Sequence, residues 1–285
     1  MVVGLAVGVQ AGIAFACQTY SWQMSGERYR GRLEHIAHVA ADAGFPALEP
    51  EVYMLGEYLD PGRLHDVLDR NKIELAALAF AGHWLNDSET DGERRAADEV
   101  IATLSSFPQA KLVLVQLPGV DRADLALRQA RAIACMNAVA RRALEAGLHP
   151  TVHPNSPPGS VFRLFEDYEL LLERLDPAVG FTPDLGHIAA GGMDPLETVT
   201  RYRDRVDHIH FKDIDADGTW AATGRGRIDF PAVVSYLSET KYEGWVVFED
   251  ECAESKRDPD GATRRNAVYA HDTLAPLLEQ VGHVA

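Results

Sequence analysis

Potential metal ligands stand at the ends of four short apolar runs in the C-terminal half of the chain. The runs are HPTVH ending at His153, VGFTPD ending at Asp184, VDHIH ending at His210 and WVVFE ending at Glu249. Two imidazoles and two carboxylates suit a divalent ion that must also bind an oxygen-rich substrate. The pattern therefore predicts a metal site that binds a small, oxygen-rich substrate.

The segments between these runs read as helices, so the ligands lie at the C-terminal ends of successive strands. Along the whole chain the pattern gives eight strand–helix units, which is the repeat of a (β/α)₈ TIM barrel. Active sites of such barrels lie at the C-terminal ends of the strands. A doubly wound open sheet is the alternative, and it is disfavoured because no glycine-rich fingerprint follows the first strand.

Several local predictions are specific enough to compare with a structure. A single strand is expected over Leu75–Phe80 and a helix over Pro61–Asn71. Asp215–Asp229 (DADGTWAATGRGRID) is expected to be a long loop, and long loops on a catalytic face are usually functional. His187 is expected on the loop that follows Asp184, within reach of a bound substrate.

The composition limits the binding partners and the cellular compartment that are expected for this chain. The chain carries 27 Lys and Arg against 43 Asp and Glu, which gives a formal net charge of −16. Such a surface repels phosphate backbones, so a nucleic-acid partner is not expected. The three cysteines form no CxxC pair, which argues against a disulfide framework and favours the cytoplasm.

The N-terminal stretch Met1–Cys17 is almost entirely apolar and has no charged residue. It lacks the basic region of a secretory signal and is shorter than a membrane span, so no membrane partner is expected. Residues 1–12 are interpreted as a short N-terminal leader that need not be ordered. Residues 13–285 are interpreted as a single catalytic barrel domain.

Five motifs resemble, in order and spacing, the sugar phosphate isomerase/epimerase group of xylose isomerase-like barrels. They are QTYSW at the first strand, TPDLGH at the sixth, HIHFKD at the seventh, GRGRIDF after it and GWVVFEDE at the eighth. The chain looks most similar to inosose dehydratases and related keto-sugar lyases, including catalytic subunits of C-glycoside deglycosidases. The resemblance implies one divalent ion on His153, Asp184, His210 and Glu249. Mn²⁺ is the first choice, and Mg²⁺, Co²⁺, Fe²⁺ or Zn²⁺ are alternatives.

One ligand position departs from the pattern of the group. Ketose 3-epimerases carry a glutamate where this chain has His153, and they use two metal-bound glutamates as acid and base. Dehydratase-like members often have His-Pro-His there, whereas this chain has His153, Pro154 and Asn155. The resemblance therefore implies proton abstraction next to the ketone of a keto-sugar or cyclitol, followed by β-elimination. Epimerisation or isomerisation through the same enediolate is the alternative.

Other polar residues near the strand ends are assigned roles by their position. The base is expected to be His153 or Glu249, the acid His187 or Lys212, and Arg227 is expected to orient the substrate. The substrate-binding candidates follow the first three strands and are Gln18, Tyr20, Trp22, Glu51, His83 and Trp84. Trp22 and Trp84 have a purely structural alternative as caps of the core. His208 is expected to be structural, and Glu251 is expected to be a rim residue or a salt-bridge partner.

Two other classes of protein share part of this pattern. A barrel endonuclease acting on abasic DNA would need a trinuclear zinc cluster, but the chain has Gln116 at the fourth strand and no extra histidine near Asp229. A non-catalytic sugar-binding protein would not need metal ligands beside Lys212 and Arg227. An enzyme with a small keto-sugar or cyclitol substrate is therefore predicted, with a homo-oligomer or a small partner subunit left open.

Overall fold

The computed structural model describes residues 12–281, so the predicted leader lies outside the described residues except for Gly12. Its strands are β1 (Ile13–Gln18), β2 (Ala47–Glu49), β3 (Glu74–Leu75), β4 (Ala77–Gly82), β5 (Lys111–Gln116), β6 (His149–His153), β7 (Gly180–Phe181), β8 (His208–Phe211), β9 (Asp213–Ile214), β10 (Trp220–Ala221) and β11 (Gly244–Phe248). Its α-helices are α1 (Tyr20–Gln23), α2 (Leu33–Ala43), α3 (Val52–Leu55), α4 (Pro61–Asn71), α5 (Asp91–Leu104), α6 (Leu125–Glu145), α7 (Phe165–Arg174), α8 (Leu185–Ala190), α9 (Pro195–Arg201), α10 (Phe230–Glu239), α11 (Ala253–Arg257), α12 (Pro259–Tyr269) and α13 (Ala275–Val281). Three short 3₁₀ turns at Gly26–Arg28, Gly56–Leu59 and Arg203–Arg205 and a π-helical turn at Ala270–Leu274 complete the list for this range.

Close contacts divide the chain into two compact units. Within the described range the first unit comprises residues 12–76 and 209–281, and the second comprises Ala77–His208. The single-domain interpretation of residues 13–285 stays a prediction.

The first unit is built on the strand order β3-β2-β1-β11-β8. Strand β1 pairs in parallel with both β2 and β11, and β2 pairs in parallel with β3. Its core is aromatic: the ring of Phe248 lies 5.9 Å from those of Phe15 and Phe211 and 5.7 Å from that of Phe45. Parallel pairing brings the carboxyl ends of these strands to one edge of the sheet.

The second unit is built on the strand order β4-β5-β6-β7, in which all neighbouring pairs are parallel. Strand β5 (KLVLVQ) is buried along most of its length, as expected for a parallel strand that is covered on both faces. Helix α7 covers the sheet through Tyr168, whose ring meets Phe181 edge-on at 5.9 Å. The carboxyl ends of β6 and β7 therefore lie side by side.

Local sequence signals explain where several helices begin. Helix α4 occupies the predicted range Pro61–Asn71 because Asp60 caps it, with its side chain accepting from the N–H of Arg63. Helix α5 begins with a reciprocal capping box between Thr90 and Glu93. These helices need little tertiary information to be located.

Two local predictions require correction. The single strand expected over Leu75–Phe80 is wrong, because the chain changes partner at Ala76: β3 pairs with β2, and β4 pairs with β5. An apolar run carries no signal for such a change. The expected loop Asp215–Asp229 contains β10, which pairs antiparallel with β9 around Gly218 (φ +87°).

None of the helices in residues 12–281 has the length and apolar character needed to cross a membrane.

Candidate active site

Charged side chains gather where the strands of the first unit end. Glu49 is the last residue of β2 and Glu249 follows β11 directly, while His210 lies in β8. The backbone N–H of Glu249 donates to the carbonyl of Phe211 (3.1 Å), which aligns the ends of β8 and β11. We call the set Glu49, Glu51, His210, Lys212, Glu249 and Glu251 the glutamate cluster.

His210 is the centre of the glutamate cluster. Its Nε2 lies 2.9 Å from Glu49 Oε1 and its Nδ1 lies 2.7 Å from Glu249 Oε2. All three side chains are buried. Burial by itself would lower the pKa of His210, but the charges of Glu49 and Glu249 outweigh it and raise the pKa to about 10. In the absence of another cation, His210 is therefore an imidazolium held between two carboxylates.

Lys212 neutralises part of the same cluster. Its side chain is fully buried, with Nζ 2.9 Å from Glu249 Oε1 and also bonded to Glu251. The rings of Tyr20 and Trp220 lie 5.9 Å and 5.5 Å from Nζ, within the range of cation–π attraction. Both oxygens of Glu249 therefore face cationic partners, Oε1 facing Lys212 and Oε2 facing His210.

Within the glutamate cluster, hydrogen bonds hold Glu51 in a fixed orientation. Gln18 donates from Nε2 to Glu51 Oε1 (2.9 Å), and the backbone N–H of Glu51 donates to Thr19 Oγ1 (2.9 Å). Burial, followed by the negative charge of Glu249, raises the pKa of Glu51 to about 8. Glu51 thus keeps its proton at neutral pH unless a cation enters the cluster.

The second unit ends its strands in a different set, which we call the imidazole pair: His153 at the end of β6 and His187. The two rings meet edge-on, with centroids 5.6 Å apart. Asp184 links them, because its Oδ2 lies 3.5 Å from His153 Nε2 and its Oδ1 accepts from the backbone N–H of His187 (2.7 Å). His187 lies in the first turn of α8, not on a loop as expected, because Asp184 caps that helix.

Ser156 determines which nitrogen of His187 carries the proton. The backbone N–H of Ser156 donates to Nδ1 of His187 (3.2 Å), and Ser156 Oγ lies 2.8 Å from the same atom. Because a backbone N–H can only donate, Nδ1 must be an acceptor. The neutral ring therefore carries its proton on Nε2.

The two tryptophans predicted to bind substrate are buried core residues. Trp22 is fully buried and donates from its indole nitrogen to Asp260 (2.7 Å). Trp84 is also buried and adopts a left-handed backbone (φ +48°) against Gly82, where a Cβ would lie 2.4 Å from the indole ring. The burial of both side chains fits the structural alternative, in which they cap the core. His83, another predicted substrate-binding residue, is exposed.

Sequence reasoning missed Asp213, which organises the loop that carries Arg227. Its buried carboxylate accepts from four backbone N–H groups: Ile214 and Ile228 on Oδ1, and Gly224 and Gly226 on Oδ2, at 2.8–3.2 Å. A Cβ at Gly226 would lie 2.3 Å from Asp213 Oδ1, so this close approach requires glycine. Arg227 itself is exposed. The position of Asp213 directly after Lys212 and before a glycine-rich loop was the available signal.

Each unit thus contributes a pair of side chains of the kinds that divalent ions bind: His153 with Asp184, and His210 with Glu249. Each pair offers one imidazole nitrogen and one carboxylate oxygen, the mixed donors that divalent metal ions bind in proteins.

A sequence model of the family described as xylose isomerase-like TIM barrel matches residues 37–271. The chain belongs to this family. The predicted (β/α)₈ barrel class is confirmed by this membership and by the solved structures that resemble the chain.

Two solved structures illustrate the likeness of fold. The structure of the IolI protein with a bound zinc atom has a TM-score of 0.73, is 16% identical and is covered over 95% of this chain and 99% of that one. The structure of an L-ribulose 3-epimerase has a TM-score of 0.71, is 18% identical and is covered over 96% of both chains. At such low identity the likeness shows the fold.

Among curated proteins, the inosose dehydratase of Lacticaseibacillus casei is 31% identical over 137 residues, which cover 41% of this chain and 45% of the dehydratase. The chain spans about half the length of the curated relatives that it matches. The similarity to inosose dehydratases predicted from the motifs is therefore confirmed over that part of the chain.

Proposed function

We propose that this chain is a divalent-metal-dependent enzyme of keto-sugar or cyclitol metabolism. It would remove a proton next to the substrate ketone and then eliminate a β-substituent. The observation that carries the proposal is that both units end their strands in an imidazole–carboxylate pair, in a family of barrels whose strand ends form the active-site face.

The proposed metal ligands are His153, Asp184, His210 and Glu249. All four side chains are buried, and two imidazoles with two carboxylates suit Mn²⁺ or a related ion. A divalent ion on these residues would polarise the substrate carbonyl and stabilise the negative charge that develops on its oxygen.

The charges of the glutamate cluster support a cation at this position. Four glutamates are balanced within the cluster by Lys212 alone when His210 is neutral. The protonation of His210 and Glu51 near neutral pH reflects this excess of negative charge. A divalent ion would take over the role of those protons and leave His210 as a neutral ligand.

The contacts favour His153 over Glu249 as the base. Both Glu249 oxygens already face a cationic partner, Lys212 or His210, which makes a carboxylate a weaker base. The Nε2 atom of His153 lies 3.5 Å from a carboxylate oxygen of Asp184, and its ring lies beside the second imidazole of its unit, an environment that favours proton uptake. Binding a metal and accepting the substrate proton are competing roles for one ring, and metal retention after substitution separates them.

His187 is proposed as the acid that assists the leaving group. Its neutral ring carries the proton on Nε2, since Nδ1 accepts from Ser156. The Nε2 proton would pass to the departing β-oxygen, so that water or an aglycone alcohol leaves. Lys212, buried between two glutamates, is better suited to holding Glu249 in place. Gln18, Glu51, Tyr20, His83 and the exposed Arg227 remain proposed contacts for substrate hydroxyls.

The substrate is proposed to be unphosphorylated, an inosose or a 3-keto-glycoside, and the compartment to be the cytoplasm. The relatives named inosose dehydratase support the first, and the free, buried state of Cys17, Cys135 and Cys252 supports the second.

The test is incubation of the Mn²⁺-loaded protein with a panel of keto-sugars and inososes in D₂O, followed by NMR and mass spectrometry. Loss of water or aglycone is the expected result. Deuterium incorporation with an inverted or migrated centre would instead indicate an epimerase or isomerase. A panel on which no α-proton exchanges would reject the proposed chemistry.

A further inference from the structure

Glu49 is a carboxylate without a role in the proposed chemistry. It is fully buried at the end of β2, so substrate hydroxyls do not reach it. A buried carboxylate is costly unless it is paired. Its Oε1 lies 2.9 Å from Nε2 of His210, whose side chain is equally buried.

The two nitrogens of His210 face different partners. Nδ1 lies 2.7 Å from Glu249 Oε2, which is a proposed metal ligand, whereas Nε2 faces Glu49. An imidazole that binds a metal through one nitrogen carries its proton on the other, and that proton needs an acceptor. Nδ1 is on the side of the proposed ligand, and the carboxylate of Glu49 lies within ion-pair distance of Nε2.

We propose that Glu49 is a positioning residue that accepts a hydrogen bond from Nε2 of His210 and so presents Nδ1 to the divalent ion. The proposal rests on the proposed metal site. The anionic acceptor would also make the imidazole a stronger ligand, because it stabilises the proton on the distal nitrogen. Glu49 itself would not touch the ion.

The alternative, that Glu49 is itself a ligand, is disfavoured by the ring geometry. The two nitrogens of an imidazole point to opposite sides of the ring. An ion bound by Glu49 and Nε2 would therefore lie on the far side of His210 from Glu249 Oε2. The two possibilities make different predictions for the bound nitrogen and for the size of the loss on substitution.

The experiment is calorimetric titration of metal-free protein with Mn²⁺ or Zn²⁺ for the wild type, Glu49→Gln and Glu49→Ala. We expect one ion per chain in all three, with affinity reduced about 10-fold in Glu49→Gln and up to about 100-fold in Glu49→Ala. The glutamine keeps an oxygen that can accept from Nε2–H but lacks the charge, so the graded loss distinguishes positioning from a general loss of structure. Asp167→Asn is the matched control, since Asp167 is another buried carboxylate, bonded to Arg122 and Gln129 in the second unit; its metal affinity should match the wild type.

A second measurement needs no variant. In ¹⁵N-histidine-labelled, Zn²⁺-loaded wild-type protein, the imidazole shifts of His210 should report Nδ1 bound and Nε2 protonated. Binding through Nε2, or affinity in Glu49→Ala equal to that of the wild type, would overturn the positioning role. Loss of all binding in the isosteric Glu49→Gln would make Glu49 a ligand and would also overturn it. If the wild type itself binds neither ion, the proposed function fails at an earlier step.

Discussion

The two units hold their strand-end histidines in opposite ways. In the first unit, His210 lies between Glu49 and Glu249, and Lys212 lies between the same Glu249 and Glu251. In the second unit, His187 is held by the backbone and hydroxyl of Ser156, and Asp184 is occupied in capping a helix. A charged surrounding keeps an imidazole protonated or metal-bound, whereas neutral partners fix a tautomer without fixing the charge.

The difference indicates a division of labour. The glutamate cluster is suited to retaining a cation, because its negative charge exceeds its positive charge. The imidazole pair is suited to moving protons, because a ring with a defined tautomer has a defined donor and acceptor. Substitutions confined to one of the two regions test this division of labour.

The largest effect is expected for Glu249→Gln in the glutamate cluster. The change removes a proposed ligand and the counter-charge of both His210 and Lys212. We expect loss of stoichiometric metal and of α-proton exchange, measured by elemental analysis and by NMR in D₂O. His153→Ala provides the comparison in the other region: metal loss would make His153 a ligand, and metal retention without exchange would make it the base. Full metal retention by Glu249→Gln would show that the ligand set is wrong.

The next effect is on stability and compares two lysines. Lys212→Met removes one cation from the buried Glu249 and the cation bonded to the partly buried Glu251, which should destabilise the metal-free protein by about 3–5 kcal/mol. The matched control is Lys111→Met in the second unit, whose partner Asp207 lies 2.6 Å away but is partly exposed. That variant should lose about 1 kcal/mol or less. Urea unfolding measures the free energy of unfolding of both variants. Equal losses would mean that removing a cation from the glutamate cluster is no more costly than removing one from a partly exposed ion pair.

Much of this arrangement was predictable because its signals are local. A helix such as α4 is encoded by Asp60 and Pro61, and the proposed ligands His153 and Glu249 are recognisable as polar residues that end apolar runs. The fold class follows from the repetition of such runs. None of these inferences requires knowledge of which distant residues meet.

The missed features all depend on distant contacts. Glu49 resembles any glutamate after a strand until β8 brings His210 to it. Trp22 resembles a rim aromatic until Asp260 from α12 accepts its indole N–H. Residues 75–80 resemble one strand, although Ala76 separates two pairings. Side-chain type and spacing identify candidates, but only packing determines which groups are buried together.

A smaller effect concerns the pH dependence of stability through Glu51. Its pKa is about 8 in the folded protein and 4.5 as the ordinary value, so the folded state binds the extra proton between these pH values. The stabilisation is complete below pH 4.5 and is lost as the pH rises through 8. Metal-free protein should therefore lose about 1 kcal/mol per pH unit in this window. The part below pH 6.5 separates Glu51 from His210, because the contribution of His210, which has a raised pKa of about 10, declines only above its ordinary value of 6.5.

Chemical denaturation of chelator-treated protein at a series of pH values measures this slope, with Glu51→Gln as the test variant. The glutamine cannot titrate and should flatten the dependence between pH 4.5 and 6.5. An unchanged slope in Glu51→Gln would assign the dependence to another group. Saturation with Mn²⁺ should also reduce the slope in the wild type, because the ion replaces the proton as the source of positive charge.

The smallest effect is expected at Ser156, in the imidazole pair. Ser156→Ala removes the hydroxyl near Nδ1 of His187 but keeps the backbone N–H that fixes the tautomer. The loss of one hydrogen bond, about 1 kcal/mol, corresponds to about a fivefold fall in the rate of elimination. His187→Gln, which removes the proposed acid, should lower the rate of elimination about 100-fold or more.

The measurements are the rate on a keto-sugar substrate and the metal affinity of both variants. The metal affinities should equal that of the wild type, because neither change touches a proposed ligand. A Ser156→Ala rate as low as that of His187→Gln would mean that the hydroxyl, rather than the backbone, holds the ring. A change of metal affinity in either variant would contradict the separation of cation binding from proton transfer.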